Sequence, residues 1–120
     1  MYTTMYIKFI ALVILIDLLW ITQPFHKTQY ERIQKTPFKV DIFGALLFYL
    51  FAPLAYIKFI HPLSKSKSEA FINGALLGFL MYMTYDFTNK AVFQDYKWWY
   101  AISDTLWGSF VFGLVSYLIY

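Results

Sequence analysis

The chain has 120 residues, 60% of them hydrophobic and only 14% charged, with a net charge of +3. A soluble domain carries about 25% charged residues, so the composition excludes an ordinary water-soluble fold and places the chain in a bilayer. The positive charge is scattered over lysines with no basic stripe interleaved with aromatics, which argues against nucleic acid and for contact with anionic lipid headgroups.

Four long apolar runs follow one another. The first covers about residues 5–22 and continues into ITQPF without a small-residue cleavage site, so it reads as an uncleaved helix stopped by Pro24. The second covers about 41–60 and ends before Pro62, with Pro53 expected to kink it. The third covers about 69–89 and the fourth about 98–120. Each is close to the ~20 residues a helix needs to cross hydrocarbon. The expected fold is all-α, a four-transmembrane-helix bundle forming one integral membrane domain over 1–120. Strands are not expected, because a membrane barrel needs many alternating segments.

Two connections, 23–40 and 90–97, fall on one face, the far side. The N-terminus, the loop PLSKSKS (62–68) and the C-terminus fall on the near side. TQYERIQK within 23–40 suggests one or two helical turns at the interface or a solvated linker. The far side holds Lys27, Arg32, Lys35, Lys39, Lys90 and Lys97, and the near side Lys8, Lys58, Lys65 and Lys67. The positive-inside rule therefore leans toward cytoplasmic 23–40 and 90–97 loops. YIKFI occurs at 6–10 and 56–60 and GALL at 44–47 and 74–77, at different offsets. These echoes reflect similar membrane depth rather than a tandem duplication.

DLLW (17–20) and DTLW (104–107) each set a carboxylate in an apolar run, with Trp20 and Trp107 three residues on. Alternating topology puts Asp17, Asp86 and Asp104 at one level, roughly 5–9 Å inside the far boundary at 1.5 Å per residue. An Asp facing lipid costs about 2.5–3.5 kcal/mol at the bilayer centre and less near its edge. Turning all three inward avoids that cost. Tyr82, Asn89 and Lys90 share the helical face of Asp86, and an indole N–H can donate to a carboxylate or a carbonyl within the bundle. Asp17, Asp86, Asn89, Asp104, Trp20, Trp107, Tyr82 and Lys90 thus form the expected polar intramembrane cluster, with Lys90 placed to neutralise Asp86. Gly74/Gly78 and Ser109/Gly113 are small-residue pairs suited to close helix packing.

DLLW (17–20), YDFTN (85–89) and DTLWG (104–108) together resemble the signature of an uncharacterised family of small four-helix membrane proteins, mainly bacterial, known only as a domain of unknown function. The resemblance spans nearly the whole chain, although 90–97 is more charged here than in that pattern. It implies four spans and a family role for Asp17, Asp86, Asn89, Asp104 and Trp107. It implies no reaction.

Two readings of the aspartates follow: a hydrogen-bonded clasp with Trp, Asn, Tyr and Lys90, or a site binding a proton or cation. Oxygen-only ligands favour a proton or hard ion over zinc, and the absence of cysteine rules out thiolate ligands. A different class of function is a structural or assembly protein of a larger complex or a viral inner membrane, with a second copy of the chain or other membrane or capsid proteins as partners. An enzyme is less expected. There is no Ser–His–Asp set, no metal-ligand His pair and no phosphate-cradling glycine loop, no cofactor is called for, and His26 and His61 lie at opposite faces, each read as a solvated interfacial residue.

Overall fold

The computed structural model describes all 120 residues. It is all-helical: α1 runs Tyr2–Ile21, α2 Pro24–Gln34, α3 Ile42–Ala55, α4 Lys67–Val92 and α5 Trp98–Ile119. The long axis of the molecule is 45 Å, which matches a bilayer of about 40–45 Å with its headgroup layers. Only 26 of the 120 residues are buried, and large apolar side chains such as Leu15, Leu19, Phe43, Phe51, Ile72 and Leu106 point outward. In water such a surface would be a liability; against acyl chains it is the expected exterior.

By length and composition three helical segments are long and apolar enough to cross a membrane: Tyr2–Ile21, Ile42–Leu63 and Trp98–Ile119. Helix α4 is the longest, at 26 residues, but is not among them. Lys67, Glu69, Asn73, Asp86, Asn89 and Lys90 make it more polar than the others.

Each helix begins and ends for a local reason. Asp41 caps α3 by accepting from the Phe43 and Gly44 amides, and Ser66 caps α4 by accepting from Glu69 N at 3.1 Å while Glu69 reaches back to the Lys65 amide. Pro53 sits inside α3, where its missing N–H leaves the Tyr49 carbonyl without its usual donor. Three residues later the helix widens into a π turn over Tyr56–Ile60, followed by a 3-10 turn over His61–Leu63. The pentapeptide YIKFI is therefore α-helical at 6–10 and a π turn at 56–60. What differs is the upstream proline, so the expected kink takes the form of a change in winding.

Helices α4 and α5 make the tightest pair. A Cβ on Gly74 would meet the Phe112 carbonyl and Ser116, one on Gly78 would meet the Gly108 carbonyl, and one on Gly113 the Phe71 carbonyl. Ser109 donates across this seam to the Ala75 carbonyl at 2.8 Å. Backbones this close gain dispersion contacts that larger residues would forbid. Helix α1 packs on α5 and α3. Phe9 is the near-side keystone, 5.6 Å from the Tyr56 ring and 5.4 Å from Phe112 between ring centroids. Helix α3 leans on α1 and makes its main contact with α4 through the π turn. The far-side halves of α3 and α4 consequently stand apart.

The segment 23–40 departs from expectation. Instead of one or two interfacial turns it forms an 11-residue helix, started by Pro24 at its first position and closed by Lys35 in the left-handed conformation, φ 62°. Phe25, Tyr30 and Ile33 of α2 pack on a second small core of Tyr96, Tyr100 and Ala101. The Lys35–Asp95 ion pair, at 3.3 Å, ties α2 to the 93–97 loop, but both side chains are exposed and such a pair contributes at most about 1 kcal/mol. The aromatic contacts carry the docking.

Candidate functional site

The two D-x-L-W stretches meet by exchange. Trp20 of α1 donates its indole N–H to Asp104 of α5 at 2.9 Å, and Trp107 of α5 donates to Asp17 of α1 at 2.8 Å. The two indoles stack, centroids 5.1 Å apart and planes 10° from parallel. Each tryptophan thus serves the other helix's aspartate. Tyr49 of α3 donates a second hydrogen bond to Asp17, which brings a third helix into the cluster.

Asp86 of α4 is fully buried, Asp17 is 5% exposed and Asp104 9%. Asp86 accepts from Tyr96 Oη and from Thr105 Oγ1, the latter at 3.3 Å, and Asp104 lies within hydrogen-bonding reach of it. No lysine or arginine joins the cluster, since the molecule's ion pair is Lys35–Asp95. Lys90 corrects the expectation that it would neutralise Asp86. Its ammonium sits 5.5 Å over the Trp98 ring. Asp86 is turned into the α4–α5 seam, whereas Lys90 lies at the rim, where an aromatic face and headgroups solvate its charge better. Asn89 lies beside Tyr85. Tyr82 lays its ring against Gly108. Of the eight residues expected to cluster, Asp17, Trp20, Asp86, Asp104 and Trp107 are joined by direct contacts, Tyr82 lines the cavity beside them, and Asn89 and Lys90 stand off.

That cavity, of about 570 Å³, lies where α3 and α4 stand apart, under the roof formed by α2. Asp17, His26, Tyr49, Tyr82, Tyr85 and Asp104 are on its wall. A smaller space of about 320 Å³ shares Phe48, Tyr82, Tyr85 and Asp104 with it and is bounded also by Met81. The carboxyls, imidazole and phenols do not draw together as a metal site: no group of three His, Asp or Glu side chains is close enough to hold a metal ion.

His26 was expected to be a solvated interfacial residue. It is instead 7% exposed. Its Nδ1 pairs with Tyr100 Oη at 2.6 Å, and Tyr30 and Tyr85 share a hydrogen bond of 2.8 Å nearby. Burial lowers the affinity of His26 for a proton, outweighing the Asp104 charge, the Trp20 carbonyl and the Asp17 charge, which raise it. Burial likewise pushes the Tyr30 and Tyr96 hydroxyls well above the usual phenol range, with Tyr100 and Tyr85 adding to it at Tyr30 and Asp86 at Tyr96. The tyrosines act here as neutral donors and acceptors.

Tyr49, Tyr96, Tyr100 and His26 were not anticipated. A signal existed for the phenols: three buried carboxyls offer more acceptor sites than two indoles can fill. Nothing in the sequence said which of 11 tyrosines would fill them.

Apolar helices with outward-facing side chains, wrapped around a buried polar cluster, define a helical integral membrane protein. The whole chain, residues 2–120, matches the model of the family described as "Predicted membrane protein (DUF2177)", and the protein belongs to that family. No curated protein and no solved structure matches the chain.

Proposed function

We propose that the protein is a four-span, multi-pass membrane protein whose Asp17–Asp86–Asp104 cluster binds a proton or small cation, with a proton favoured. Helix α4 would be the fourth span, its Asp86 turned toward α5 rather than lipid, and the face bearing α2 would be cytoplasmic, on six cations against four. One observation carries the reading: three buried carboxyls on or beside a cavity are met only by N–H and O–H donors, with no cation among them. Two facing carboxyls away from bulk water hold one proton at less cost than two charges. The stacked indoles and the phenols donate hydrogen bonds but cannot cancel a charge, so a mobile cation is the missing complement. The clasp role and the ion role use the same contacts and are compatible.

The test is proton flux into liposomes reconstituted with the purified protein and loaded with a pH-sensitive dye. Wild type is expected to dissipate an imposed pH gradient faster than empty vesicles, and Asp104→Asn and Asp86→Asn are expected to remove the difference. Wild-type flux equal to that of empty vesicles, with protein insertion verified, overturns the transport form of the reading.

A further inference from the structure

We infer that the gap between the far-side halves of α3 and α4 is a phospholipid site: one acyl chain lies between the two helices, and the lipid phosphate meets Lys39 at the mouth. The inference rests on the four-span reading, since only a crossing α4 puts the gap in hydrocarbon, and it does not draw on the carboxyl cluster.

The gap is a product of the helix packing. Helix α3 packs along α1 and meets α4 through the π turn at Tyr56–Ile60, so the two helices diverge toward the far side. Ala45, Phe48 and Tyr49 line the gap from α3, and Met81, Tyr82 and Tyr85 line it from α4. Asp41 caps the far-side end of α3. Counted from there at 1.5 Å per residue, the α3 wall lies roughly 6–12 Å inward, within a leaflet whose hydrocarbon is about 15 Å deep. Phe48 and Tyr85, one on each side, remain exposed at the opening.

Where the gap opens decides what fills it. Its walls are mainly apolar and aromatic, so water finds few partners there, and an empty gap forfeits dispersion contacts along both helices. Spaces of about 570 and 320 Å³ fall in the range of small-molecule sites, about 300–1,000 Å³. An acyl chain enters sideways from the surrounding hydrocarbon and packs on the rings of Phe48, Tyr82 and Tyr85. The buried carboxyls of Asp17 and Asp104 already accept from Trp20, Trp107 and Tyr49. At the outer end Lys39 belongs to the same cavity wall, exposed and without a carboxylate partner. The nearest carboxylate in sequence, Asp41, is turned to the Phe43 and Gly44 amides. A phosphate at headgroup level is the complement of the Lys39 charge.

Photolabelling of the full chain tests the site. The protein is reconstituted in liposomes containing phosphatidylglycerol with a diazirine midway along one acyl chain, irradiated, digested and read by mass spectrometry. Phe51 and Leu80, which face outward, are expected to be labelled by surrounding lipid. Tyr82, whose ring lies against Gly108 inside the gap, is expected to be labelled by the bound chain. Ala45→Phe, which fills the gap from α3, should abolish labelling of Tyr82 and leave that of Phe51 unchanged. Lys39→Ala, a change at an exposed residue, should lower labelling of Tyr82 about fivefold. Leu80 labelled with Tyr82 unlabelled overturns the lipid site and leaves the crossing of α4 standing. Tyr82 labelled equally in Ala45→Phe overturns the site as well, and equal labelling in Lys39→Ala overturns the phosphate contact. No label anywhere on α4 removes the fourth span and the lipid site together.

Discussion

Trp20 and Trp107 decide the far-side geometry residue by residue. Replacing Trp107 with Phe keeps an aromatic ring, smaller than the indole, but removes the donor to Asp17, leaving a buried carboxyl short of one partner. A loss of about 1–3 kcal/mol is expected, read as a lower melting temperature in detergent. Trp20→Phe should act alike through Asp104. The double variant should be non-additive, because the two rings stack on each other. His26 gives a pH signature. Its folded proton affinity is lowered by burial, so the unfolded chain takes up the proton first as pH falls. The neutral ring therefore contributes stability above the unfolded value, ~6.5, which is lost as pH drops through the folded one. Asp17, Asp104 and Tyr100 are the titratable groups facing it. Between about pH 7.5 and pH 5 the wild-type melting temperature should fall further than that of His26→Phe; parallel curves would assign the pH dependence elsewhere. The aspartates' shared level was legible by counting residues along alternating helices. The exchange of partners was not, because it depends on the rotational phase of α1 against α5, which no single-helix pattern encodes. Thr105 shows the same limit: adjacent to Asp104 in sequence, it bonds Asp86.

The α4–α5 seam dominates at the scale of elements. Gly78 approaches the Gly108 carbonyl so closely that a methyl group has no room. Gly78→Ala is expected to destabilise by about 1–3 kcal/mol through overpacking. Gly44 has nothing within 4 Å of its would-be Cβ, and Gly44→Ala should be neutral or stabilise by up to about 1 kcal/mol through helix propensity. Opposite signs for the pair in thermal melts would separate packing from propensity; equal losses would contradict the seam. The small-residue spacing of this seam stood in the sequence. Helix α2 did not. Its hydrophobic residues, Phe25, Tyr30 and Ile33, are embedded among Lys27, Glu31, Arg32 and Lys35, so the stretch resembles a solvated linker. What makes it a packed helix is a patch on α5 and the 93–97 loop that the linker cannot announce. The π turn is the same kind of case. YIKFI has no preference for it, and Pro53 upstream disturbs the hydrogen-bond ladder that the pentapeptide must rejoin.

For the whole molecule, the crossing of α4 is the open architectural claim, and the chain's lack of cysteine makes it directly measurable. Single cysteines at Lys27, Lys65 and Gln94 can be probed with a membrane-impermeant maleimide on sealed vesicles. Four spans require positions 27 and 94 to label from one side and 65 from the other. Labelling of 65 and 94 from the same side would show that α4 does not cross. The stacked indole pair carries one more consequence. Two like chromophores held 5.1 Å apart on different helices are coupled electronically, so the native protein should show a paired positive and negative circular-dichroism band that neither tryptophan produces alone. The band will vanish when α1 and α5 separate, giving the molecule an intrinsic optical gauge of its own docking without any attached dye.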